Sequence, residues 1–226
     1  MKNESGNALW FILLAVALLA ALAVTITRTS SSTEQEGDIE RQRVMASDLM
    51  RFAASIEQTI ERMRLNGMSE NEISFEIAAL PGYANPRCSS DSCKIFDAEG
   101  GGISLKTPPT FANDGSAWFF TGANSVEGLV NDGTGATSSD DNELLMILPG
   151  VTEGLCGRIN AELGIAGIPQ DTTKADVATK FAGTFTNGQV IENMAGKRTG
   201  CFQGNQDDGG ADISAKYYFY HALIAR

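Results

Sequence analysis

Residues 38–67 read DIERQRVMASDLMRFAASIEQTIERMRLNG, and the period of their apolar positions decides what the rest of the chain must do. Met45, Leu49, Phe52, Ile56, Ile60 and Met63 follow one another at intervals of 4, 3, 4, 4 and 3, the spacing that lines up side chains on one face of an α-helix. Asp38 can cap its start, and Asn66-Gly67 supplies the stop. Five acidic residues and five arginines balance between 38 and 66, so the remaining surface of the helix is a solvated one. Glu57, on the side opposite Ile56 and Ile60, is expected in solvent. A rod of about 29 residues, some 43 Å long by the helical rise, must lay its stripe on something. The simplest support is the domain that follows it.

Upstream lies MKNESGNALWFILLAVALLAALAVTITR, residues 1–28. Residues 8–26 form a run of nineteen without a charge, interrupted only by Thr25. A helix of that length roughly matches a hydrocarbon core of about 30 Å, and it exceeds the 7–15 apolar residues usual in a cleavable signal. The expectation is a leader at 1–6, a transmembrane segment at 7–28, a linker and amphipathic helix at 29–66, and a globular domain at 67–226. Ala21-Leu22-Ala23 offers signal cleavage as the alternative. Lys2 precedes the run while Arg28, Arg41 and Arg43 follow it, which by the positive-inside rule points the bulk of the chain inward. The cysteines point the other way. All four lie beyond the run, and an even number suits an oxidising compartment. The resulting expectation is a single-pass membrane protein whose globular domain is periplasmic or extracellular.

The formal charge is −11, and from Gly67 onward twenty acidic residues face ten basic ones. Such a surface does not suit nucleic acid, whose phosphates call for a basic one. After Pro81-Gly82 the pattern changes to short apolar runs between turn signals: CKIFD, GGISL, AWFFTG, ELLMILPG, AGTFTNGQVIE and KYYFYHALIAR. Their β-branched and aromatic content reads as strands, and Asn187-Gly188 is a hairpin candidate. One helix interrupts them, with Thr152 as cap, Leu155, Ile159 and Leu163 four apart, and Gly164 as stop. SENE at 69–72 has the form of a capping box. The fold class expected is α+β: a long N-terminal helix, half transmembrane and half amphipathic, packed on a small antiparallel sheet and disulfide-bonded.

Chemistry-bearing residues are few. The single histidine, His221, sits in a strand-like run, and triads and most zinc sites need histidine. No enzymatic activity is expected. Cys88 and Cys93 enclose four residues and can close a tight loop, leaving Cys156 to pair with Cys201. Four cysteines allow three connectivities, and proximity is what favours this one. Asp207, Asp208 and Asp212, spaced by glycines in NQDDGGAD, form a weak calcium candidate, since that ion takes six to eight oxygens. No other cofactor is expected.

The layout resembles type IV pilins and the pilin-like proteins (pseudopilins) of type II secretion. The residues that carry the likeness are the leader MKNESG, the apolar run NALWFILLAVALLAALAV and the amphipathic helix at 38–66. The resemblance implies cleavage between Gly6 and Asn7. It also implies a structural role on the cell surface as a filament subunit of a type IV pilus or type II secretion-like system. Its partners would be other copies of itself or related pilin-like subunits, together with the inner membrane. Where that family has a large apolar residue after the cleaved glycine and a glutamate four positions later, this chain has Asn7 and Phe11. The alternative is an anchored or secreted periplasmic or extracellular domain that binds a ligand with its loops.

Overall fold

The computed structural model describes residues 5–130, 142–171, 175–186, 188–205 and 216–226, without the side chains of 5–9 and 24–36. Helix α1 runs from Ser5 to Leu65, and the chain divides into two compact units, Met1–Arg41 and Gln42–Arg226. The second unit holds strands β1 (Phe119–Val126) and β2 (Glu143–Val151), helix α2 (Glu153–Leu163), and strands β3 (Gln189–Ile191), β4 (Thr199–Gln203) and β5 (Tyr217–Ile224). The strand order is β3-β1-β2-β5-β4. Neighbours are antiparallel except β1 and β3, which run parallel with Asn124, Ser125 and Val126 opposite Gln189, Val190 and Ile191.

The six-residue stripe of α1 is buried: Leu49, Phe52, Ile56 and Ile60 are at most 2% exposed, and Met45 and Met63 at most 7%. It joins a core with Leu144, Met146, Leu148, Phe120, Phe219 and the apolar side of α2. Phe75 anchors the intervening 73–83 segment, stacked on Phe120 at 4.0 Å between ring centroids. Tyr83 closes the same cluster by accepting a hydrogen bond from the Phe120 amide at 2.9 Å. Burial pushes its phenol up to about 12.

The other face of the sheet is covered too. Leu145, Ile147, Tyr218, Tyr220, Ala222 and Phe202 pack with Ala175, Ile191 and Met194 into a second core. Alternate residues of β2 therefore enter different cores, and the strand reads LLMIL, continuously apolar, as a strand buried on both faces does.

This corrects the expected fold. The sheet is mixed rather than antiparallel, because the chain after α2 crosses its second face and returns beside β1 in parallel register. CKIFD and GGISL form no strand, and of AGTFTNGQVIE only Gln189–Ile191 does. Asn187 lies outside the described residues, and residues 182–186 before it are not extended into a hairpin partner.

The membrane-spanning expectation for 7–28, and the single-pass localisation built on it, are corrected as well. Among the described residues no helix is long and apolar enough to cross a membrane. The flanking positions 8–9 and 24–26 of the expected span fall on side chains outside the described set.

Local signals explain the ends of α2. Thr152 stands at its N-cap in extended conformation, without a capping hydrogen bond from its side chain, and Gly164 stops it at φ 70°, a left-handed geometry that glycine adopts without strain. At 69–72 the Ser69 amide donates to Glu72 Oε2 at 2.8 Å, opening a single 3₁₀ turn at Glu70–Glu72.

Candidate functional site

Two places in the molecule stand out: an exposed apolar helix and a polar cluster at the helix–sheet joint. The first is in the Met1–Arg41 unit. Trp10, Phe11, Ile12, Leu13 and Leu14 are all between 48% and 64% exposed, and Val16, Leu18, Leu19 and Leu22 between 58% and 66%. Five consecutive helical residues, about 100° apart, point in every direction around the axis. A helix apolar on all sides belongs in an apolar surround, and here its side chains stand open.

The second place is a polar cluster in the Gln42–Arg226 unit. α1 supplies Glu57, β5 supplies His221, and the entry to β4 supplies Arg198 and Thr199. Glu57 Oε2 lies 2.8 Å from His221 Nε2, and Arg198 Nη1 donates to Glu57 Oε1 at 2.8 Å. Thr199 Oγ1 lies 2.6 Å from His221 Nδ1. Thr199 and His221 are directly opposite in the β4–β5 ladder. Both ring nitrogens of His221 therefore have a partner, Nε2 facing the Glu57 carboxylate and Nδ1 the Thr199 hydroxyl. The hydrogen bond from His221, helped by the charge of Arg198, holds the Glu57 carboxyl below its ordinary value. Glu57 is thus a tie between helix and sheet, with its side chain only 17% exposed. The solvated position expected from the helical pattern is wrong. Its neighbours in the cluster are distant in the sequence, and no local pattern announces them.

The cysteines are paired as Cys88–Cys93, with Cα atoms 5.6 Å apart, and Cys156–Cys201, at 5.3 Å. The second pair joins α2 to β4. Asn160, one helical turn beyond Cys156, reinforces that joint: its amide donates to the Cys201 and Gly167 carbonyls at 2.8 Å, and its Oδ1 accepts from the Cys201 amide at 2.9 Å. The outward side of β4 is therefore occupied, and Gln203 adds bonds to Pro169 and Asp171. The early part of β1 is closed in the same way by Tyr83, Phe181 and Thr186. These contacts blunt sheet edges that would otherwise recruit another strand.

Asp207, Asp208 and Asp212 lie outside the described residues; Gly6 and Asn7 lie in the first turn of α1, and the side chain of Asn7 is outside the described set. Among the described residues no group of three His, Cys, Asp or Glu side chains is placed to hold a metal. Comparison with known proteins adds no relative: no family model matches the chain, and no curated protein or solved structure does.

Proposed function

We propose that the chain is a structural subunit of the pilin-like kind, associating through the apolar part of α1 with the same helix in other copies or in related subunits. The observation that carries this reading is the all-round exposure of residues 10–14. One neighbour can cover only one side of such a helix, so burial calls for at least two, as in a bundle of like helices. Each buried CH₂ contributes about 0.8 kcal/mol. Ala15, Ala17, Ala20, Ala21 and Ala23 permit close helix approach. Two further features support an assembly by helices. The hydrogen-bonded cover on early β1 and on β4 disfavours strand addition at those two places. The two disulfides fit an oxidising, extracytoplasmic setting.

The test is sedimentation velocity on the full chain over a hundredfold range of concentration, beside Leu14→Glu/Leu18→Glu. Association of the wild type and a monomeric variant are expected. A monomeric wild type, or a variant that associates equally well, overturns the reading.

A further inference from the structure

We propose that Cys88–Cys93 is a thiol-exchange site, open to a low-molecular-weight thiol while the fold stays intact, and that Cys156–Cys201 is closed to the same reagent. The two bonds are alike in chemistry and opposite in access. Cys88 is half-buried, and the four residues between it and Cys93 are exposed. Cys156 and Cys201 are 0% exposed, enclosed where α2 meets β4. Exchange requires a thiolate to approach a sulfur in line with the S–S bond. Cys88 is half-buried beside a run of four exposed residues, so reaching it requires no element to leave another. At the buried pair the approach exists only after α2 has left β4.

Opening the first bond does not release the segment that carries it. Ser74 N donates to the Cys93 carbonyl and Ile95 N to the Ser74 carbonyl, each at 2.9 Å, and Gly101 N donates to the Lys94 carbonyl at 2.8 Å. Ile95 is fully buried in the main core. On the other side of the loop, Cys88 N donates to the Asn85 carbonyl at 3.0 Å. Asn85 is itself buried and donates to the Asn71 and Ile73 carbonyls. Both cysteines are thus held by backbone bonds that do not involve sulfur.

The reaction balances with the thiol as reductant. Its thiolate attacks Cys88 Sγ, the S–S bond breaks, and the electron pair leaves on Cys93 Sγ, which takes a proton from water. The product is a mixed disulfide on Cys88. A second thiolate then attacks the reagent's sulfur, releasing Cys88 as a thiolate and the reagent as its own disulfide. The outcome is a dithiol in a folded protein, its Cys93 thiol buried at 4% exposure and its Cys88 thiol half-buried, and Cys88 is the residue that carries the adduct.

The experiment treats the full native chain with excess reduced glutathione, quenches samples with iodoacetamide and maps the peptides, while near-ultraviolet circular dichroism follows tertiary packing. Glutathione on Cys88, and carbamidomethyl on Cys93, should appear at least tenfold faster than any label on Cys156 or Cys201, with the dichroism unchanged. Cys88→Ser/Cys93→Ser should lose the fast phase and nothing else. Equal rates for the two pairs, earlier opening of Cys156–Cys201, loss of dichroism in step with the first adduct, or no labelling short of denaturant would each overturn the proposal.

Discussion

Two stretches of α1 use apolar residues in opposite ways. Over residues 10–14 five successive large apolar side chains are exposed, whereas at Ile56 and Glu57 adjacent positions divide their tasks. Ile56 is fully buried in the core, and Glu57 ties the helix to His221 and Arg198. The lesson is that hydrophobicity alone does not say what a helix packs against. Periodicity does. A stripe finishes its burial within its own fold, while an apolar circumference leaves it unfinished.

The largest effect that tests this contrast belongs to the stripe. Ile56→Asp places an unpaired charge in a site with no exposure and should cost about 4 kcal/mol or more, enough to unfold a marginal domain in a urea titration. A loss below about 1 kcal/mol would mean the stripe is not a core element.

Next comes Glu57→Ala, which leaves His221 and Arg198 without their shared acceptor and should cost about 1–3 kcal/mol. Because the folded carboxyl is held below its ordinary value of 4.5, its contribution is present in full above that range. It is withdrawn as pH falls toward the lowered value. The wild type should therefore lose more stability than Glu57→Gln on acidification from pH 6 to pH 3. Parallel pH profiles for the two proteins would show that the tie carries no charge-dependent energy.

The smallest effect on stability is expected where the exposed residues are changed. Leu14→Glu/Leu18→Glu should leave the unfolding free energy of the Gln42–Arg226 unit, from a urea titration at low concentration, unchanged within about 0.5 kcal/mol. A loss comparable to that of Ile56→Asp would place those leucines inside a fold and erase the contrast.

Much of the second unit is written locally. The stripe from Met45 to Met63, the runs that become β1, β2 and β5, and the Thr152 and Gly164 boundaries of α2 all follow from residues close in sequence. What is not written locally is partnership. β4, TGCFQ, looks like a turn by composition and becomes a strand through its ladder to β5 and the bonds from Asn160. The parallel placement of β3 beside β1 depends on how the chain crosses the second face. The unbroken LLMIL of β2 carried a hint, since an alternating pattern would have suited a sheet covered on one side only. Glu57 shows the same limit at the site: its helical position is plain, but its partner is 164 residues away.

The place of β5 between β2 and β4 has a consequence for the order of events during synthesis. β2 lies between β1 and β5, and β5 follows every other described strand in the chain. While the polypeptide is being delivered, β1 and β2 can form a hairpin-like pair, but the inner edge of β2 stays open until residues 217–224 arrive. Only then can β4 find its ladder. The buried cystine therefore fastens α2 to a strand whose ladder is closed by the last strand to be made, so the joint around it is complete only when synthesis of β5 is.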